Sequence, residues 1–135
     1  MASIDIVATP DLARIKDLAA SEPGLDLLVL FGSRARGDAR TDSDWDFGYI
    51  ARGDFAPEAF LARLVAYLRT ERIDLADLDR AGGLLRFRAA RDGKLLHERA
   101  AGAFARFWLA AVDFWCDAGP LITAGYDANL ASLGP

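Results

Sequence analysis

The sequence has almost no cysteine, and this absence excludes a fold that is stabilised by disulfides. Cys116 is the only cysteine among 135 residues, so no internal disulfide can form, which is typical of a protein from a reducing cytoplasm. The first ten residues, MASIDIVATP, do not combine a basic segment with an apolar run as a secretory signal does. No stretch approaches the ~18 consecutive apolar residues of a membrane span. We therefore expect a cytoplasmic protein without a membrane segment.

An excess of positive charge is also lacking. The 16 Lys and Arg residues are outnumbered by 20 Asp and Glu residues, and the net charge is −4. This balance argues against a protein that binds nucleic acid by covering phosphates with basic side chains, although it permits a local basic pocket for a nucleotide. The chain is 53% hydrophobic, which indicates a globular domain with one buried core.

Hydrophobic periodicity predicts a chain in which helices and strands alternate. Thr9 is predicted to cap the first helix, with Pro10 and Asp11 in its first turn. The segments LDLLVLF, DWDFGYI, RIDLADL and KLLHE are predicted strands, and helices are predicted after Pro10, from Pro57, from Ala81 and from Ala101. The first strand is apolar at almost every position, which is typical of a central strand covered on both sides.

This order of elements predicts an α/β or α+β fold. We expect a small mixed sheet of about four strands with helices packed on one face, followed by a C-terminal helix. Residues 1–99 are predicted to form the core, and residues 100–135 a helical extension of the same domain. Aromatic residues between Phe104 and Trp115 occupy more than one face of the last helix, and this surplus of apolar surface suggests contact with another protein.

Two residues with reactive side chains are predicted to have structural roles. His97 lies on a short terminal strand without an acid or a metal ligand at a matching spacing. Cys116 is expected to be a small buried apolar residue.

The stretch FGSRARGDARTDSDWDF, residues 31–47, concentrates aspartates beside a glycine–serine pair. A calcium loop beginning at Asp42 would need glycine at its sixth position and glutamate at its twelfth, but phenylalanine and glycine stand there. A phosphate loop of the NTPases would continue after Gly37 with Lys and then Ser or Thr, but aspartate and alanine follow. Both motifs are therefore excluded.

The spacing of the aspartates fits a divalent cation site. Asp44 and Asp46 are separated by one residue, so on a strand their side chains point to the same face. Asp74 on the next predicted strand lies between two apolar residues and faces the same way by parity, whereas Asp77 and Asp79 are poorer candidates. Three such carboxylates could hold one or two divalent cations.

The glycine–serine pair and two arginines fit a phosphate group. Gly32 allows a backbone to approach a phosphate closely, and Ser33 offers a hydroxyl and an N–H at a predicted helix start. Arg34 and Arg36 add positive charge for a triphosphate, although surface charges that offset the nearby aspartates are an equally good explanation of them.

These residues together carry a family resemblance. Gly32-Ser33, ten further residues and then Asp44-Trp45-Asp46 resemble the motif of the polymerase-β-like nucleotidyltransferase superfamily, and the whole stretch is most similar to its minimal nucleotidyltransferase (MNT) group. The resemblance extends over about residues 10–99. It implies a nucleotidyltransferase fold and the transfer of a nucleoside monophosphate, AMP from ATP, to a hydroxyl.

The resemblance also implies roles for the candidate residues. Asp44, Asp46 and Asp74 would be the catalytic groups and the ligands of two Mg²⁺ ions, and Asp74 would in addition accept the proton of the attacking hydroxyl. The hydroxyl attacks the α-phosphorus of ATP, and pyrophosphate leaves. Nucleotide-binding roles are implied for Gly32, Ser33, Arg34 and Arg36.

The MNT group includes antitoxins that are paired with HEPN-domain ribonuclease toxins and silence them by adenylylating a tyrosine. The short chain has no evident second domain to grip an acceptor, so such a partner is expected to present the hydroxyl. Two alternatives remain open. One is a nucleotidyltransferase for small molecules of the aminoglycoside type, and the other is an antitoxin that inhibits its partner by binding alone.

Overall fold

The computed structural model describes residues 11–116, which contain five helices and four strands. The helices are α1 (Leu12–Ala20), α2 (Ser33–Arg36), α3 (Pro57–Leu68), α4 (Gly83–Asp92) and α5 (103–116). The strands are β1 (Leu25–Phe31), β2 (Trp45–Ala51), β3 (Ile73–Asp77) and β4 (Lys94–Glu98). The predicted strands are confirmed, and the remainder of the predicted C-terminal extension lies outside the described residues.

The four strands form one mixed sheet in the order β3-β2-β1-β4. β1 pairs antiparallel with β2 and with β4, and β2 pairs parallel with β3. β1 therefore occupies an inner position, as its nearly continuous apolar sequence predicts. β3 and β4 are the edge strands.

Helices cover both faces of this sheet, whereas the sequence predicted helices on one face. Leu28 and Leu30 of β1 belong to a core cluster with α1 and α3. Leu27, Val29 and Phe31 of the same strand belong to a second cluster. The second cluster is completed by residues of α4 and α5, among them Ala89, Ala90, Phe107 and Ala111. The difference follows from β1 itself, because apolar side chains on both faces of an inner strand require a layer on each side.

The cap of α1 differs from the prediction. Asp11 is the N-cap residue, and its side chain accepts a hydrogen bond of 2.9 Å from the N–H of Ala13. The sequence had placed Asp11 in the first turn and the cap at Thr9, which lies outside the described residues, as does Pro10. Aspartate and threonine are both favourable N-cap residues, so the residue types alone did not show which of the two caps α1.

The predictions for His97 and Cys116 compare differently with the structure. His97 is half-buried on β4, and its Nε2 lies 3.2 Å from the carbonyl oxygen of Leu25, in agreement with the predicted structural role. Cys116 was predicted to be buried, but it is exposed. It lies five residues after the buried Ala111, so its side chain points away from the face of α5 that packs on the sheet.

Apolar side chains remain on the outer surface of α5. Trp108, Leu109 and Phe114 are 41%, 55% and 53% exposed, in agreement with the surplus of apolar surface that the sequence indicated. None of the helices within residues 11–116 is long and apolar enough to cross a membrane.

Two leucines on α3 test the assignment of its buried face. Leu64 is fully buried, and Leu61 is half-buried. We expect Leu64→Ala to lower the free energy of unfolding by about 2–5 kcal/mol, because it removes packed methyl groups and leaves a cavity. Leu61→Ala should cost roughly half of that or less. Urea denaturation followed by circular dichroism measures both, and equal losses would contradict this packing.

Candidate active site

Asp46 and Asp74 lie side by side on neighbouring strands. In the parallel pair of β2 and β3, Asp46 is in register with Asp74, and in the antiparallel pair of β1 and β2 it is opposite Phe31. Residues in register are about 5 Å apart and point to the same face of the sheet. Phe31 belongs to the core cluster that α4 covers, so both acids lie on the α4 side. This is the placement that strand parity predicts.

Gly32 brings the glycine–serine turn against the Asp46 carboxylate. Its φ and ψ are +73° and −159°, a backbone conformation that is essentially restricted to glycine. A Cβ at this position would overlap the Asp46 carboxylate. The sequence assigned Gly32 to the approach of a phosphate, and the structure shows a close approach to the acid itself.

The turn leads directly into α2. The N–H groups of Ala35 and Arg36 donate to the Gly32 carbonyl at 3.1 and 3.0 Å. Ser33 is the first residue of α2, which confirms the predicted helix start, and the first N–H groups of a helix have no partner within it. Ser33 therefore carries polar groups at the end of β1, next to Asp46.

Asp44 lies just outside the strand and is exposed. β2 begins at Trp45, one residue later than predicted. The Asp44 carboxylate is 3.7 Å from Nη1 of Arg72, which also donates a hydrogen bond of 2.9 Å to the Asp42 carbonyl. Arg72 thus connects the start of β3 with the loop before β2.

Burial and like charges raise the pKa of the Asp46 carboxyl above its ordinary value. Burial is the largest cause, followed by the negative charges of Asp74 and Asp44. Arg88 and then Arg36 act in the opposite direction. Asp46 therefore lies among two other carboxylates, which repel its negative charge, and two guanidinium groups, which attract it.

The donor set suits a divalent cation in its chemistry, since carboxylate oxygens are the ligands that Mg²⁺ prefers. A cation between the acids would relieve the repulsion that raises the pKa of Asp46. The side chains do not form a finished cage, because in the described part of the chain no three His, Cys, Asp or Glu side chains are grouped closely enough to hold a metal ion. Metal binding by Asp44, Asp46 and Asp74 therefore stays a prediction.

Arg34 is used inside the loop that precedes β2. Its Nη2 donates to the carbonyls of Ser43 at 2.9 Å and Thr41 at 3.3 Å. Its guanidinium carbon lies 4.6 Å from the centroid of the Trp45 ring, a cation–π arrangement. These contacts hold the loop against the strand that carries Asp46, and they give Arg34 a structural role beside the phosphate-binding role expected from the sequence.

Arg36 connects α2 with α4. Its Nη1 lies 3.1 Å from Oδ2 of Asp92, and its Nε lies 3.4 Å from Oδ2 of Asp38. Arg91 and then Arg36 hold the pKa of the Asp92 carboxyl below its ordinary value, so Asp92 stays ionised between them. Arg36 is thus close to Asp46 and fixed in place by another acid.

Sequence reasoning missed Arg88. It lies on α4, immediately before the buried Ala89 and Ala90 and one turn before Asp92. The spacing of four residues from Asp92 places both on one side of the helix. That spacing was visible in the sequence, but which side faces the acids follows only from the packing of α4 on the sheet.

A family model described as polymerase beta, nucleotidyltransferase matches residues 13–101. A protein adenylyltransferase MntA from Aphanizomenon flos-aquae (strain 2012/KM1/D3) is 32% identical over an alignment of 114 residues, and the match covers 73% of this chain and 76% of that protein. Both findings agree with the resemblance that the motif suggested.

Solved structures with a similar fold come from toxin–antitoxin complexes. A chain of a toxin–antitoxin structure with AMP-PNP superposes with a TM-score of 0.68 at 23% identity, covering 91% of this chain and 98% of that one. A chain of a complex between a tri-AMPylated Shewanella oneidensis HEPN toxin and an MNT antitoxin gives 0.62 at 21% identity, covering 90% and 94%. These likenesses confirm the predicted α/β nucleotidyltransferase fold.

Two glycines with positive φ differ in their backbone conformation and in what a Cβ would meet. Gly37 has a φ of +88° and no atom within 4 Å of the place where a Cβ would stand, whereas at Gly32 the Cβ would meet the Asp46 carboxylate. We expect Gly37→Ala to lower the free energy of unfolding by about 1–2 kcal/mol and Gly32→Ala by clearly more. Chemical denaturation measures the difference, and similar values for the two variants would show that the contact is unimportant.

The raised pKa of Asp46 predicts a pH-dependent cost to stability. The folded chain binds a proton here more readily than the unfolded chain, so stability falls as the pH rises from the ordinary value of 3.8 through the raised one. Asp46→Asn removes the charge, and we expect it to melt above the wild type at about pH 7 but not at about pH 3. Asp42→Asn in the exposed loop should show no such change. A melting temperature of Asp46→Asn below that of the wild type at about pH 7 would contradict this prediction.

Proposed function

This chain belongs to the polymerase beta nucleotidyltransferase family, and from that premise we propose that it transfers AMP from ATP to a tyrosine hydroxyl of a HEPN ribonuclease toxin and thereby acts as its antitoxin. Two similarities support the proposal. The relative that is 32% identical is a protein adenylyltransferase, and a structure with the same fold is an MNT antitoxin in complex with a tri-AMPylated HEPN toxin.

The observation that carries the proposal is the register of the acids beside the glycine–serine turn. Asp46 is paired with Asp74 on one side, and the backbone of Gly32 lies against its carboxylate on the other. Transfer of a phosphoryl-type group requires mainly positioning and neutralisation of charge. A cluster of carboxylates next to a helix start provides a place for a cation beside a place for phosphates.

In this proposal Asp44, Asp46 and Asp74 would hold two Mg²⁺ ions. Bound Mg²⁺ polarises phosphate oxygens and favours deprotonation of a nearby hydroxyl. Gly32 and Ser33 bind the β- and γ-phosphates, and Arg36 contributes positive charge from its position between α2 and α4. Arg34 contributes by holding the loop that carries Asp44.

The transfer then follows from the position of each group. The tyrosine oxygen attacks the α-phosphorus of ATP, the bond from that phosphorus to the β-phosphate oxygen breaks, and pyrophosphate leaves. The hydroxyl proton passes to Asp74, which is exposed near the start of β3. Because β3 is an edge strand, a tyrosine on another protein can reach this carboxylate from outside the sheet.

The proposal predicts that a HEPN protein is encoded next to this chain, and it is tested by incubating the two proteins with ATP and Mg²⁺. We expect mass increases of whole AMP units on a tyrosine of that protein. Asp46→Asn should reduce the rate about 100-fold or more, because it removes a carboxylate ligand of the cations that neutralise charge on the transferred phosphate. Asp42→Asn, an exposed acid four residues earlier, is the matched control and should retain the rate.

Two results would overturn the proposal. An unmodified partner that is still inhibited, with Asp46→Asn as protective in cells as the wild type, would indicate inhibition by binding alone. Turnover of an aminoglycoside without any protein partner would indicate a nucleotidyltransferase for small molecules.

A further inference from the structure

Arg88 is a positive side chain on the same side of the sheet as the acids, outside the motif that identified them. The next two residues of α4, Ala89 and Ala90, are buried in the core cluster that contains Phe31. Phe31 is opposite Asp46 in the sheet. The segment of α4 that carries Arg88 therefore packs against the end of β1 where Asp46 and the glycine–serine turn meet.

The contact between α4 and α2 fixes the direction of Arg88. Asp92 lies one helical turn after Arg88, on the same side of α4, and its carboxylate lies 3.1 Å from Nη1 of Arg36 on α2. Arg88 is therefore on the side of α4 that looks towards α2 and Asp46. In agreement with this placement, Arg88 opposes the rise in the Asp46 pKa more strongly than Arg36 does.

The other arginines around this site are engaged by protein groups. Arg34 donates to loop carbonyls, and Arg36 is paired with Asp92. Arg86 donates to the Leu78 carbonyl and lies over the Phe107 ring. The Nε of Arg91 lies 3.0 Å from Oδ1 of Asp92.

Arg88 differs from them in having no such engagement. Among residues 11–116 its guanidinium makes no hydrogen bond and no ion pair within 4.0 Å, although the residue is half-buried. Its guanidinium nitrogens are not among the buried side-chain atoms that lack a partner, so they remain accessible to a ligand. The planar guanidinium can donate two parallel hydrogen bonds to the oxygens of a phosphate, which is a bidentate arrangement.

The direction of the transfer indicates which phosphates these are. The acceptor hydroxyl approaches from β3, the exposed edge of the sheet, where Asp74 lies. Attacking and leaving oxygens are roughly in line on opposite sides of the phosphorus, so pyrophosphate leaves away from β3, towards β1, α2 and α4. Arg88 is on that side.

We propose that Arg88 is a nucleotide-binding residue that pairs with the β- and γ-phosphates of ATP and balances the charge of the departing pyrophosphate. This inference rests on the proposed function. It assigns to α4 a role in the site, in addition to its role in covering the sheet.

Arg88→Ala tests the assignment through nucleotide binding measured by isothermal titration in the presence of Mg²⁺. We expect the affinity for AMP-PNP to fall about 10- to 100-fold, the usual effect of losing hydrogen bonds between charged groups, and the affinity for AMP to change less than about twofold. Arg88→Lys should recover part of the loss because it restores the charge without the planar donor set. Arg80→Ala removes the same charge from a side chain that is 89% exposed beyond the far end of β3, and it should bind both nucleotides like the wild type.

The outcomes separate this inference from the proposed function. If the wild type transfers AMP but Arg88→Ala binds AMP-PNP with unchanged affinity, the assignment of Arg88 is overturned and the transferase remains. Equal losses for AMP and AMP-PNP in both Arg88 variants would show a structural role and overturn it as well. A wild type that binds neither nucleotide would overturn the proposed function itself, and Arg88 with it.

Discussion

The repulsion among Asp46, Asp74 and Asp44 is the constraint around which this end of the molecule is built. Pairing in the sheet holds the backbone of Asp46 beside that of Asp74. Burial adds to the cost by removing water from Asp46. A chain selected for stability alone would have little use for such an arrangement, whereas sites that perform chemistry commonly sacrifice stability in this way.

The two sides of the acid pair differ in access. β3 is an edge strand with Asp74 exposed at its start, so a large acceptor can approach there. On the other side, β1, α2 and α4 meet, and the backbone of Gly32 lies against Asp46. In the proposed transfer, the open side would receive the protein acceptor, and the side lined with basic residues would receive the phosphates.

The arginines of this region illustrate that a shared charge does not imply a shared role. Arg34 organises the loop before β2, and Arg36 joins α2 to α4 through Asp92. Each is oriented by protein acceptors, which fixes the elements that carry the site. Arg88 contributes its charge to Asp46 from α4, and the position of that helix depends on the second core cluster.

The sequence by itself determined the four strands, the order of helices and strands, the placement of Asp46 and Asp74 on one face, and the turn at Gly32. Each of these follows from periodicity or from residue type over short distances along the chain. Only the tertiary structure decided that helices cover both faces, that Gly32 lies against the Asp46 carboxylate, that Asp44 is drawn towards Arg72, and that Arg88 faces the acids. These are contacts between residues far apart in sequence, and they depend on strand register and helix packing, which no local pattern specifies.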